Sequence, residues 1–215
     1  MYKLPVYKEN DPAVVRQFID DNPFAFLSGC DASNKPVATQ VPVFIEEEGD
    51  KKILRGHLMK NTDHHKAFLH NPNVLTVFTG RHCYVSATWY TFAHMASTWN
   101  YMSVQATGII RFLDDAALED VLRKTSLHFE NNNHESTTVF DNLDETFKQK
   151  VMPAIVAFEI EVTGMNNIFK LSQDRDKASF ENIIRELNKQ GESSKVIAAE
   201  MAKRHHLLFP EKNNR

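Results

Sequence analysis

The 215 residues carry 42% hydrophobic and 25% charged side chains, enough for one folded globular domain with a buried core. A formal net charge of -3 lacks the basic excess of a dedicated nucleic-acid binder, and two cysteines are too few for a disulfide framework or a cysteine-rich metal site. The opening MYKLPVYKENDP has no apolar signal core, and no apolar run approaches membrane-spanning length, so the expectation is a cytoplasmic protein without a membrane segment.

Asp11-Pro12 reads as an N-cap with proline in the first turn, and Val14, Val15, Phe18 and Ile19 supply one apolar face before Asn22-Pro23 stops the helix. Phe24 to Cys30 reads as a short buried strand. Val37, Thr39, Val41, Val43 and Ile45 then share one face of a second strand. Pro42 cannot donate to a sheet ladder, which predicts an edge position or a bulge. Lys52 to Leu58 makes a third strand, and Asn61-Thr62-Asp63 caps a short helix closed by Asn71-Pro72. Val74 to Phe78 and His82 to Val85 read as two strands around a turn at Gly80.

After an aromatic stretch, Val104 to Phe112 alternates as a long strand. Asp114 caps a helix with Leu118, Val121, Leu122, Thr125 and Phe129 at helical spacing, and the polar segment from Asn131 to Asn142 reads as a mobile loop. Leu143, Phe147 and Val151 suggest a short helix ended by Pro153. Val156 to Val162 is a one-sided strand with Glu159 and Glu161 on its solvated face, and a turn at Gly164 leads to a hairpin partner, Ile168 to Leu171. Phe180, Ile183, Ile184 and Leu187 mark an amphipathic helix, and Ser194 to His205 a second. Seven short strands with inserted helices and no regular strand-helix-strand alternation predict an α+β chain built on an antiparallel barrel. Residues 1–175 form the expected domain, with 176–215 as its helical extension.

The chemistry concentrates in Tyr84 to Tyr101, YVSATWYTFAHMASTWNY, which holds both tryptophans and three of the five tyrosines among hydroxyl and amide side chains. Such a mixture suits a flat heterocycle, with rigid rings for its face and donors for its edge; an irregular loop whose aromatics plug the core is the alternative. No glycine-rich phosphate loop can be written, so a bound phosphate needs side chains and a helix start. The run LRGHLMKNT offers these: Arg55 for two-pronged phosphate binding, Lys60 for charge, and Asn61 and Thr62 as neutral donors, unless this is an ordinary charged surface strand. His57, His64, His65 and His70 lie close in sequence but match no metal-ligand spacing, and no metal is expected.

NPFAFL, VATQVPVFIE, LRGHLMKN, NVLTVFTGRHCYVSATWY, STWNYMSVQATG and MPAIVAFEIEVTGMNNIFKLSQDR follow one another in an order that resembles the PaiB family, the FMN-binding negative transcriptional regulators. The resemblance runs from about residue 2 to residue 205, and YVSATWY, TWNY and FKLSQ are its most specific parts. It implies a split β-barrel of the pyridoxamine-phosphate-oxidase type, a homodimer, and FMN at the dimer interface. By that resemblance Arg55, His57, Lys60 and Asn61 surround the phosphate, and Thr39, Gln40, Val41 and Pro42 with Tyr84, Val85 and Ser86 flank the isoalloxazine. Trp99, Asn100, Tyr101 and Gln105 close the site, and Lys170, Ser172 and Gln173 reach the cofactor or the interface. Asp174 departs from the asparagine common in the pattern.

The functions implied are a flavin-binding regulator or sensor, or else an FMN-dependent oxidoreductase. Haem binding through His64, His82 or His94 is a third reading from the same fold. From Asp176 onward eight Lys or Arg face six Asp or Glu with no helix-turn-helix pattern, which leaves DNA a weakly supported partner.

Overall fold

The computed structural model describes residues 4–210; the outermost residues of the expected domain, 1–3 and 211–215, lie outside the described residues. Among the described residues the α-helices and strands run α1 (Pro12–Asp21), β1 (Phe24–Cys30), β2 (Pro36–Glu48), β3 (Lys51–Met59), α2 (Asp63–His70), β4 (Asn73–Val85), β5 (Thr98–Phe112), α3 (Asp115–Phe129), α4 (Glu145–Val151), β6 (Ile155–Lys170), α5 (Lys177–Leu187) and α6 (Glu192–Leu208). The strands close into an antiparallel barrel in the order β1-β2-β3-β6-β5-β4. No helix among the described residues is long and apolar enough to cross a membrane.

Two compact units are built from discontinuous segments. Among the described residues, one comprises 4–15, Thr79–Val104 and 166–210; the other comprises Arg16–Phe78 and Gln105–Met165. In the second unit, Leu118 and Val121 of α3 pack on Ala157 of β6, with Leu113, Leu122, Met152 and Ile155 around them. Each large apolar side chain removed from water here contributes about 1.5–3 kcal/mol. In the first unit α5 and α6 bury Phe180, Ile183, Leu187, Ile197, Ala198 and Met201. Side-chain caps start two helices as the sequence predicts, with Thr62 accepting from the His65 amide and Asp114 from Ala117; Asp176, which the sequence reading did not single out as a cap, accepts from Ser179 at the start of α5.

Among the described residues six strands are present, because two breaks that the sequence suggested, at Gly80 and Gly164, are continuous strand. Gly80 does not turn the chain, and β4 runs through it from Asn73 to Val85. Its inward residues change from even positions (Val74, Thr76, Phe78) to odd ones (Cys83, Val85), so the pattern lapses although the strand does not. Gly164 likewise lies inside β6, and Ile168 to Lys170 continue that strand rather than forming its hairpin partner.

Pro42 sits neither at an edge nor in an isolated bulge. β2 pairs with β1 through residues Pro36 to Pro42 and with β3 from Val43 onward, so the missing proline donor falls where the ladder changes partner. β1 is buried on one face only. Ala25 and Leu27 point inward, while Phe24 and Phe26 are 59% and 42% exposed. Nor is the segment from Asn131 to Asn142 a free loop, since Val139 and Phe140 are buried and the Phe140 amide donates to Ser126 Oγ at 2.9 Å.

Candidate functional site

The residues expected to hold the cofactor fall into two sets, one in each unit. In the second unit, Thr39, Gln40, Val41 and Pro42 lie opposite Leu27, Phe26, Ala25 and Phe24 across the β1–β2 ladder. Gln40 is exposed, and Phe24 and Phe26 flank this stretch with open ring faces that the reading of β1 as buried had missed. Strict alternation against Ala25 and Leu27 was the available signal.

Arg55 is already committed. Its guanidinium binds Glu46, Glu48 and Glu159, the last at 3.0 Å, and Arg111 Nε donates to the other Glu159 oxygen at 2.6 Å. Glu159 is therefore a 4% exposed structural carboxylate, not a member of a solvated face. Burial alone would raise its pKa, but the bonds from Arg55 and Arg111 outweigh that and hold it below the ordinary carboxylate range. Burial likewise opposes the charge on Arg55, and its bonds to Glu159, Glu48 and Glu46 prevail and strengthen its protonation.

The turn from β3 into α2 is different. Lys60 and Asn61 have no side-chain hydrogen bond or ion pair among the described residues; their backbone amides donate to Ala154 O and His65 Nδ1. Asn61 holds a left-handed φ of 65°, which brings Thr62 to the N-cap of α2. His57 Nδ1 is buried without a partner, and burial lowers the pKa of the ring, favouring the neutral imidazole. Gln105, on β5, is half-buried with no side-chain bond among the described residues.

In the first unit, His82 and Tyr84 of β4 stand beside Trp99 of β5, with ring centroids 5.7 and 6.0 Å from the indole. Tyr84 and Trp99 are 50% and 52% exposed, a rigid aromatic wall facing outward. Tyr101 is half-buried, whereas Val85 is fully buried. Ser86 caps the 3-10 turn at Ala87–Trp89 by accepting from the Thr88 amide.

Asn100 is also fully buried. It accepts from Ser172 Oγ at 3.1 Å and directs its amide at Met201 Sδ on α6. Ser172 itself holds a φ of 62°. Gln173 accepts from the Leu171 amide and donates to Phe169 O, and Lys170 donates to Thr98 Oγ1. TWNY and FKLSQ therefore interlock: these polar side chains secure the end of β6, and the solvent-facing member of the set is Trp99. The segment between the strands is tied to α5, because the Thr91 amide donates to Ser179 Oγ at 2.8 Å and Thr91 Oγ1 to Asp176 at 3.1 Å. Arg175 lies over the Tyr90 ring at 4.6 Å.

Residues 1–164 match the family model described as "Putative FMN-binding domain". The chain belongs to this FMN-binding-domain family. Over 199 residues, 92% of this chain and 95% of the relative, it is 26% identical to the PaiB-type protein of Bacillus subtilis (strain 168), protease synthase and sporulation protein PAI 2. Among solved structures it resembles the FAD and heme binding protein from Mycobacterium smegmatis, with a TM-score of 0.55 at 16% identity over 76% of this chain and 73% of that one. It also resembles the flavocytochrome Anf3 from Azotobacter vinelandii, with a TM-score of 0.56 at 16% identity over 79% of this chain and 72% of that one. These likenesses carry the fold, the split barrel.

FMN is the cofactor of this FMN-binding domain, and the residues present fit it. An uncommitted ammonium and amide at Lys60 and Asn61 suit a phosphate, and exposed aromatic faces suit a flavin ring.

Proposed function

We propose that this FMN-binding protein is a flavin-responsive regulator, in which occupancy at the aromatic wall is passed to the C-terminal helices. The observation that carries this reading is the tie between the aromatic segment and α5 through Thr91, Asp176 and Ser179. A ring seated on Tyr84 and Trp99 would favour one arrangement of residues 86 to 97, and those residues hold the first turn of α5. The resemblance of its motifs to the FMN-binding negative transcriptional regulators supports the regulatory class.

Within the second unit, Lys60 and Asn61 are the candidate phosphate ligands, the neutral His57 of β3 offers one hydrogen bond, and Arg55 is a positioning residue for β2, β3 and β6. Bound flavin supplies electron-transfer chemistry, and the chain sets access to it. The open faces of Phe24, Phe26, Tyr84 and Trp99 are surfaces that a second copy of the chain would cover, giving a cytoplasmic homodimer.

Hydrogen exchange with and without FMN tests the regulatory coupling. Protection should rise both in residues 86 to 97 and in the start of α5; protection confined to the binding residues overturns the relay. Steady NAD(P)H oxidation by the FMN-loaded protein with a small acceptor would replace the regulatory reading with an oxidoreductase. Equal, salt-sensitive binding to specific and random duplex would remove sequence-specific DNA binding.

A further inference from the structure

We propose that His65 is the positioning residue of the turn between β3 and α2: its Nδ1 accepts the Asn61 amide and so fixes the backbone from which Lys60 and Asn61 reach a phosphate. This rests on Lys60 and Asn61 being the phosphate ligands and adds the residue that shapes their turn. The bond from Asn61 N to His65 Nδ1 is 3.2 Å long.

Asn61 needs such a hold. Its φ of 65° lies in the left-handed region, which a residue with a side chain keeps only where neighbouring contacts secure it. The residues on either side have their own anchors. The Lys60 amide donates to Ala154 O at 2.8 Å, and Thr62 Oγ1 donates to Met59 O at 3.1 Å while accepting the His65 amide at 3.3 Å. The Asn61 amide itself is held by the His65 ring.

That ring is placed from two elements. α2 carries it, and it packs against Phe112 at the end of β5, with centroids 4.7 Å apart. An imidazole nitrogen accepts a hydrogen bond only when it bears no proton, so the bond requires the neutral ring with its hydrogen on Nε2. Burial, followed by the neighbouring charges of His64, Lys60 and Lys66, lowers the pKa of His65 and favours that form. The adjacent His64 has different partners: its Nδ1 lies 3.1 Å from Asp63 Oδ1 and its Nε2 2.9 Å from Thr62 Oγ1. His64 thus braces the helix start, and His65 braces the turn.

The test is fluorescence titration of the flavin-free full chain with FMN and with riboflavin, which lacks the phosphate. His65→Phe keeps a ring against Phe112 but removes the acceptor; it should weaken FMN binding about threefold to tenfold while riboflavin binds as before. His65→Asn, whose side-chain oxygen supplies an acceptor near the position of Nδ1, should bring FMN affinity back to within about twofold of native. Unchanged FMN affinity in His65→Phe, an equal loss for riboflavin, or a His65→Asn protein as weak as His65→Phe would each overturn the proposal. Lys60→Ala separates this proposal from the phosphate assignment. Normal FMN binding by Lys60→Ala would overturn both, whereas a weakened Lys60→Ala beside a normal His65→Phe would remove only the role of His65. If His65→Phe fails to fold, nitrogen NMR of the native chain decides: at neutral pH Nδ1 should be unprotonated and bonded to the Asn61 amide, and a proton on Nδ1 would overturn the proposal.

Discussion

Arg55→Ala and Lys60→Ala separate the structural from the ligand-binding cation. Removing Arg55 takes one partner from the nearly buried Glu159 and another from Glu46, although Arg111 and Lys124 remain bound to them. Loss of one member of a buried pair costs about 3–5 kcal/mol, and the surviving partners bring the expectation down to about 2–3 kcal/mol. For a chain of 215 residues that lowers the melting temperature by about 4–12 °C. FMN affinity of the folded protein should change by less than about threefold, since the guanidinium is engaged elsewhere.

Lys60→Ala should do the reverse: no more than about 0.5 kcal/mol of stability, because its ammonium has no partner among the described residues, and about tenfold weaker FMN binding. Thermal melts followed by circular dichroism and FMN titrations by fluorescence quenching measure both quantities on the same samples. An Arg55→Ala protein that melts normally but loses tenfold in FMN affinity would refute this assignment.

Other expected outcomes follow from the same contacts. Glu46 and Glu159 have lowered pKa values in the folded chain, so their contribution is present above the unfolded value near 4.5 and is lost as pH falls through the lowered native values. Urea midpoints should therefore fall with pH below about 4.5, less steeply in Glu159→Gln; a midpoint flat from neutral pH to pH 3 would contradict this. Gly56→Ala places a Cβ 2.6 Å from Pro42 O and 2.8 Å from the buried Phe158 ring, and should destabilise by about 2 kcal/mol in chemical denaturation; a neutral result would mean that β2 and β6 yield easily. Thr91→Val should speed hydrogen exchange at the start of α5 even without FMN, and unchanged exchange there would show that the tie transmits nothing.

Much of the barrel was legible because inward residues alternate cleanly in β2 and β5 and because Thr62 and Asp114 mark helix starts. Where the alternation changed phase, as around Gly80, a continuous strand read as two. Glu159 looked solvated because its partners, Arg55 and Arg111, are far from it in sequence, and only barrel closure brings them together. The same long-range pairing is why Arg55 resembled a phosphate ligand. Within the aromatic stretch Trp99 and Tyr84 face outward, while the non-aromatic Val85 and Asn100 are core. No local pattern foretold that Asn100 and Ser172 would meet, since 71 residues of chain lie between them.

The most direct measurement is a visible-absorbance and calorimetric titration of the flavin-free protein with FMN. The account predicts saturable uptake with perturbed flavin bands, weakened by Lys60→Ala and by Trp99→Ala. Absence of both binding heat and spectral change would contradict it and leave the aromatic wall as a surface for a partner other than flavin.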